Sequence, residues 1–283
     1  MIATQAPHPS GASGVRRARP LLWIGAAAIA AWVLAPIVLI GLAAFTPREA
    51  LYSWPRPIIP SQVSLDTFLF FFNSHGVLRS TLNSLLVAGL TIVLALALGA
   101  PAGYSLARFV FPGRDGLRLS ILATKMFPAT ILAVPLTVAF IRWHLYDTLL
   151  GVALVHTVLA LPFTIIITSS IFVGVPTELE EAALTLGCSR AGAFRRVVLP
   201  MALPGLAASA IFTFVLSWNE VFAATILTLD NRTLPALIMN AIGSAGAPLD
   251  YRFAGGFFMI VPAVVIIFLI RRYLMTMWGV TVR

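Results

Sequence analysis

Two charged residues, Lys125 and Glu220, lie inside apolar runs of the sequence. Ionisable groups inside a hydrocarbon layer are costly and by default indicate function. The Lys125 ammonium is suited to donate hydrogen bonds to solute hydroxyls or to pair with an anionic solute group. Glu220 directly follows Trp218 and Asn219, so an aromatic face and two hydrogen-bonding groups could hold a polyhydroxylated ring in an apolar cavity. These four residues are candidate contacts in a solute pathway.

Lys125 and Glu220 each also have a structural interpretation. The stem of Lys125 is long enough to carry its ammonium back to the headgroups. Glu220 is equally suited to hydrogen bonds between helices. The sequence leaves both alternatives open. His156, alone within an apolar run, is interpreted as a hydrogen-bonded structural histidine.

Catalytic and nucleotide-binding patterns are missing from the sequence. A phosphate-binding loop needs the pattern G-x-x-x-x-G-K-[ST], and the single lysine, Lys125, is followed by Met. The sequence has one cysteine, Cys188, and four histidines, which do not fit a structural zinc site. The chain is therefore not expected to be an enzyme on its own or to hold a cofactor.

The elements that position these residues are predicted to be membrane helices. Of the 283 residues, 59% are hydrophobic and 10% are charged, and the mean hydropathy is +0.96. This composition excludes an ordinary soluble enzyme and a disordered chain. The net charge of +9 indicates membrane topology and contact with anionic lipid rather than nucleic-acid binding. The predicted fold class is all-α, a polytopic membrane protein with six transmembrane helices, at about 21–45, 82–107, 117–141, 149–173, 205–229 and 254–270.

Arginine placement predicts the orientation of these helices. Six spans put both termini on one side, and twelve arginines lie on that side against six on the other. Because cytoplasmic loops carry the excess of basic residues, both termini are predicted to be cytoplasmic. Residues 1–20 are predicted to be a flexible cytoplasmic segment, and 21–283 the six-helix domain with a long cytoplasmic loop at 174–204.

This loop, 174–204, carries its own helical pattern. Thr177 and Glu180 have the spacing of a capping box, which predicts a helix start. Leu179, Ala182, Ala183 and Leu186 follow at i, i+3, i+4 and i+7, giving one apolar face. Gly187 is expected to end this helix, and Ser189 to cap a second one over 190–198 that Leu199-Pro200 closes. An amphipathic pair of this kind suits docking into the groove of a partner; the alternative is a solvated loop on the membrane surface.

The residues of this loop resemble a known signature. Glu181-Ala182-Ala183, Gly187 four residues later, a gap of nine residues and then Val197-Val198-Leu199-Pro200 are similar to the coupling loop of permease subunits in ATP-binding-cassette (ABC) importers, written EAA, three residues, G, nine residues, I-x-L-P. Val197 stands where the family has Ile. Pieces elsewhere resemble the smaller permease of maltose-type carbohydrate systems: Asn83-Ser84, Tyr104 to Arg108, Phe111-Pro112-Gly113, Met126-Phe127-Pro128 and Ser217 to Glu220.

The resemblance implies a function and partners. The fold would be the type I importer permease fold, in a bacterial inner membrane, forming half of the pathway for a sugar or sugar-like solute. Asn83 and Phe127 would join the solute pathway. Two separate ATPase subunits would bind ATP and Mg, and a second permease, expected to be a distinct homologue, and an external solute-binding protein would complete the complex. The residues in contact with the ATPase would be Glu181, Ala182, Ala183, Gly187, Arg190, Leu199 and Pro200.

Two other functions fit parts of the sequence. The coupling loop is shared across importers, so the solute could be a glycerophosphodiester, a polyamine or a phosphate. An ion-gradient secondary transporter would need no docking loop, and the paired broken helices in inverted repeats that mark such transporters are not visible in the sequence.

Overall fold

The computed structural model describes residues 14–55, 57–60, 62–243 and 246–277, with the side chains of 14–21, 267 and 269–277 left out. Helices and the loops between them make up this part of the chain, and it has no strands. Its α-helices are α1 (Gly14–Ala44), α2 (Arg48–Leu51), α3 (Asp66–Asn73), α4 (Val77–Arg108), α5 (Arg114–Ala123), α6 (Ala133–Arg142), α7 (Leu149–Val173), α8 (Thr177–Thr185), α9 (Arg190–Ala193), α10 (Leu199–Trp218), α11 (Phe222–Leu227), α12 (Leu234–Gly243) and α13 (Leu249–Met277).

Five stretches of the described residues are long and apolar enough to cross a membrane. They lie in α1, α4, α7, the continuous helical stretch from α9 to α10, and α13. A sixth span results if 114–126 and 129–142 are counted together, although these two helices meet at an angle of 74°. The chain is therefore a multi-pass membrane protein with five spans, or with the six that the sequence predicts if the bent pair forms one span.

Several helices differ in extent from the predicted spans. Helix α1 begins at Gly14, so part of the segment predicted to be flexible is helical, and residues 1–13 lie outside the described residues. The third span, predicted as one helix over 117–141, is broken at Phe127-Pro128, because the residue before a proline disfavours the helical conformation. The sixth, predicted at 254–270, extends over all of α13.

The fifth span also departs from the prediction of one helix over 205–229. Leu199-Pro200 does not close a short helix; a π-helical turn over Phe194–Val198 leads directly into α10, which stops at Trp218. The wider turn leaves room next to Pro200, whose nitrogen cannot donate a hydrogen bond. Helix α11 follows after a break at 219–221.

The centre of the bundle is the packing of α4 against α7. Gly99 and Gly103 lie on the contacting face of α4: a Cβ added at Gly99 would lie 2.7 Å from Thr164 Cγ2, and one at Gly103 would lie 2.8 Å from the backbone nitrogen of Ser169. The Thr168 hydroxyl on α7 donates a hydrogen bond of 3.0 Å to the Gly99 carbonyl. Small residues let membrane helices approach closely, so these two glycines fix the distance between α4 and α7.

Candidate functional site

The loop at 174–204 forms two helical segments, as the sequence predicts, but their capping differs. Helix α8 begins at Thr177 with Pro176 as N-cap and without a side-chain hydrogen bond at the cap. The capping box predicted for Thr177 and Glu180 is therefore wrong, because Glu180 is bound elsewhere. Gly187 ends the first segment with φ +88°, and Ser189 caps the second by accepting a hydrogen bond of 3.1 Å from the Gly192 nitrogen.

The predicted apolar face of α8 is partly buried and partly exposed to solvent. Ala183 is buried, whereas Glu181, Ala182 and Gly187 are exposed. Leu186 is 86% exposed. We call the exposed residues Glu181, Ala182, Leu186 and Gly187 the docking surface. The remaining candidates are Arg190 and Pro200, both exposed, and the half-buried Leu199.

Glu180 connects α8 to the end of α4. Its carboxylate accepts a hydrogen bond of 2.9 Å from Arg108 Nε and a second one from the Tyr104 hydroxyl. The Arg108 and Glu180 side chains are only 10% and 12% exposed. A second nitrogen of Arg108 donates to the Val175 carbonyl at 2.8 Å. The sequence pattern did not indicate this pair, because its members are 72 residues apart.

A shallow cleft of about 190 Å³ lies beside this ion pair. The guanidinium of Arg190 lies 5.6 Å from the ring centre of Phe109 at one end of the cleft, the geometry of a cation–π contact. The cleft combines apolar and charged groups of both signs, and it is lined by Arg108, Phe109, Thr177, Glu180, Glu181, Leu184 and Arg190.

Glu220 lies at the break between α10 and α11 and is fully engaged in hydrogen bonds. It accepts bonds from the backbone nitrogens of Ala223 at 3.0 Å and Ala224 at 3.1 Å, which are unpaired donors at the start of α11. His156 Nε2 on α7 lies 3.1 Å from the second carboxylate oxygen, and its Nδ1 lies 2.8 Å from the Ser217 hydroxyl. His156 is 1% exposed. This geometry agrees with the interhelical interpretation of Glu220 and with a structural His156.

The other predicted pathway residues near α10 and α4 are also held by the chain itself. Trp218 is 1% exposed, stacks on Phe214 and donates from Nε1 to the Met259 carbonyl at 3.0 Å. The prediction that its ring faces a solute therefore does not fit this structure, because both faces and the N–H are inside the core. Asn83 is 7% exposed and donates to the Arg232 carbonyl at 3.0 Å. Asn219 is exposed, with its amide nitrogen bound to a carbonyl of its own helix.

Lys125 and Phe127 lie at the break between α5 and α6. The Lys125 ammonium donates to the Leu159 carbonyl on α7 at 3.0 Å and lies 5.3 Å from the ring centre of Phe163. It therefore contacts a neighbouring helix rather than reaching back along its own helix to the headgroups. Phe127 is 55% exposed. These two residues and Asn219 are the predicted pathway residues that the chain leaves accessible.

Asp147 is a connecting residue that no sequence motif indicates. One oxygen of its carboxylate accepts hydrogen bonds from the backbone nitrogens of Leu229, Asp230 and Asn231, at 2.8 to 3.1 Å. The Asn231 side chain in turn binds the guanidinium of Arg79 at 2.8 Å. Asp147 thus joins the loop before α7 to the loop after α11. Within the described residues, no group of three or more His, Cys, Asp or Glu side chains could hold a metal ion.

Comparison with known proteins assigns the chain to a family. The family model for the inner membrane component of binding-protein-dependent transport systems matches residues 95–277, which include α8 and the docking surface. The chain belongs to this family. As a binding-protein-dependent permease it is similar to the trehalose transport system permease protein SugB of Mycobacterium tuberculosis, with 34% identity over 76% of this chain and 80% of the relative. It is also 32% identical to the arabinooligosaccharides transport system permease protein AraQ of Halalkalibacterium halodurans, over 93% of this chain and 94% of the relative.

Solved structures share the fold of this permease. A bacterial ABC transporter involved in the import of the acidic polysaccharide alginate matches with a TM-score of 0.73 and 19% identity, over 95% of this chain and 99% of that chain. The MetNI methionine ABC transporter in an inward-facing conformation matches with a TM-score of 0.58 and 21% identity, over 73% of this chain and 96% of that chain. The helical arrangement is therefore the ABC importer permease fold.

Proposed function

We propose that this permease forms half of the translocation pathway of an ABC importer for a sugar or sugar-like solute. The observation that carries the proposal is the docking surface: exposed Leu186, Ala182 and Gly187 protrude from a loop whose base is fixed by buried polar contacts. An exposed apolar surface on a rigid base is suited to a protein partner. The names of curated relatives, which include trehalose and arabinooligosaccharide permeases, support a carbohydrate as solute.

We place both termini and the docking surface in the cytoplasm of a bacterium, with the helices in its inner membrane and in contact with lipid. The excess of arginine on that side of the predicted topology supports this orientation. Two ATPase subunits, which bind ATP and Mg, then contact Glu181, Ala182, Gly187 and their neighbours Arg190, Leu199 and Pro200. Ala183, predicted as a further contact, is buried and instead packs inside the chain. An external binding protein delivers the solute, and a second permease, a distinct homologue, completes the pathway.

The accessible pathway residues support a contribution of this chain to solute contacts. Lys125 retains N–H groups beyond the one that binds the Leu159 carbonyl, and Phe127 and Asn219 are exposed beside helix breaks. We infer that these three residues contact the solute, and that Asn83, Trp218 and Glu220 hold the helices that carry them.

Purification of the tagged chain from its native membrane in mild detergent tests the proposal, with retained partners identified by mass spectrometry. We expect an ATPase subunit and a second permease to be recovered with it. As a control, Leu186→Asp should lose the ATPase subunit while keeping the second permease. Recovery of the wild-type chain alone, from a preparation that keeps a known transporter complex intact, would contradict the proposal.

A further inference from the structure

The ion pair between Glu180 and Arg108 lies on the buried side of α8, whereas Leu186, the residue that follows the helix, is exposed. Both side chains are nearly buried, and their contact at 2.9 Å is a charge-assisted hydrogen bond between an ionised donor and an ionised acceptor. Such a bond is stronger away from bulk water than at an open surface, where screening weakens it. The contact is therefore a firm connection between α8 and the last turn of α4.

The surroundings of the pair fix it to further elements. Arg108 also donates to the Val175 carbonyl just after α7, at 2.8 Å. The Tyr104 ring packs edge-on against Phe172 at the end of α7, with ring centres 5.7 Å apart, and lies 4.6 Å from the ring of Phe194 in the π-helical turn. The end of α4 is thus held by α7, by α8 and by the segment that leads into α10.

Helix α4 is in turn unable to slide freely against α7. The close approach at Gly99 and Gly103, with the Thr168 hydroxyl bound to the Gly99 carbonyl, leaves little clearance between the two helices. Packed interfaces of this density transmit a displacement instead of absorbing it. A movement of α8 therefore reaches the centre of the bundle if the contact between Glu180 and Arg108 holds.

We propose that Glu180 and Arg108 form the joint through which movement of the docking surface is passed to α4, with Tyr104 as a supporting residue. This inference rests on the proposed function, since it assumes that an ATPase moves α8. Glu180 and Arg108 are positioning residues in this proposal, since they act through α8 and α4. The joint keeps α8 and the end of α4 at one distance throughout the transport cycle.

A buried ion pair by itself is weak evidence of importance, because apolar replacements are often as stable. The test therefore needs a readout of coupling. We would reconstitute the complete complex in proteoliposomes with Glu180→Gln, Arg108→Gln, or the reversed pair Glu180→Arg with Arg108→Glu, and measure ATPase activity with and without loaded binding protein. Asp115→Asn, which removes a carboxylate that is 95% exposed, is the matched control.

Each single substitution is expected to abolish most of the stimulation of ATPase activity by loaded binding protein. The ATPase subunit should remain in the purified complex, the reversed pair should recover stimulation, and Asp115→Asn should behave as the wild type. Single variants that retain full stimulation would overturn the proposal, as would variants that lose the ATPase subunit, because the pair would then serve assembly. A wild-type complex without stimulation would instead contradict the proposed function.

A distance measurement tests the joint without relying on activity. Spin labels at two exposed positions, Glu178→Cys on α8 and Val110→Cys beyond α4, would be introduced together with Cys188→Ser. Electron paramagnetic resonance should give the same distance with and without ATP, and a changed distance with ATP when Glu180→Gln is added. A distance between the two labels that changes with ATP in the otherwise unsubstituted chain would overturn the proposal. The proposal would also be overturned if the reversed pair had no stimulated ATPase activity and the label distance in Glu180→Gln did not change with ATP.

Discussion

A methyl group added at Gly103 should force α4 away from α7. Its Cβ would lie 2.8 Å from the Ser169 nitrogen and 2.9 Å from the Ile165 carbonyl oxygen, both backbone atoms that no change of rotamer can move. Ordinary van der Waals contact for such an atom begins at 3.4 Å, so the helices must separate by about 0.6 Å, the difference between 3.4 and 2.8 Å. Overpacking of this kind costs about 1–3 kcal/mol.

Gly89→Ala is the matched control for Gly103→Ala. Gly89 lies on the same helix, and a Cβ added there meets nothing within 4 Å. Both substitutions gain about 0.5–1 kcal/mol from replacing a helical glycine by alanine, so this gain cancels in the comparison. We expect Gly103→Ala to be less stable than Gly89→Ala by about 1–3 kcal/mol.

Unfolding by sodium dodecyl sulfate in mixed micelles, followed by circular dichroism, gives the free energies of unfolding to compare. A lower midpoint for Gly103→Ala at an unchanged slope would support the close approach of α4 and α7. Equal free energies of unfolding for the two variants would refute it, because the added methyl group would then have found space.

Three further changes test the remaining contacts. Glu220→Ala leaves the His156 ring and the start of α11 without their acceptor and should lower the free energy of unfolding by about 1–3 kcal/mol. Glu220→Gln keeps an acceptor oxygen and should lower the free energy of unfolding less. Equal losses in the two variants would contradict the role of Glu220 as a cap of α11. Asp147→Ala should make the loop after α11 more susceptible to protease in proteoliposomes, whereas Asp115→Ala, at an exposed position, should not. Identical cleavage in the two variants would show that Asp147 does not hold this loop. Gly187→Pro places a residue that cannot adopt φ +88° and should abolish solute-stimulated ATPase activity. Gly187→Asn should retain this activity, because asparagine tolerates the left-handed backbone conformation. Full stimulation in both variants would show that this turn has no part in the mechanism.

Local sequence features predict much of the architecture. Apolar length identifies the spans, and the spacing from Glu181 to Pro200 identifies the loop that the family model also covers. Gly187 and Ser189 end and begin helices as their residue types predict. These features depend only on neighbours in the chain, which is why one sequence is enough to locate them.

Contacts between distant residues are beyond this kind of inference. His156 and Glu220 are 64 residues apart, and Arg108 and Glu180 are 72 apart, so their pairing depends on how α4, α7 and α10 are packed. Packing against α13, whose Met259 carbonyl accepts its N–H, buries Trp218, although its residue type alone suggested an exposed aromatic face. An apolar membrane helix shows little contrast between its faces, since lipid and core are both apolar, and the sequence therefore does not distinguish pathway from packing positions.

Direct uptake measurements test whether ATP drives the transport of a sugar through this permease. Proteoliposomes that contain the complete complex and internal ATP, with ion gradients collapsed by ionophores, would be supplied with labelled trehalose or arabinooligosaccharide on the external binding protein. We expect accumulation of the sugar that needs ATP hydrolysis and is lost in Gly187→Pro. Uptake that stops when the ion gradients are collapsed, while ATP remains, would contradict it.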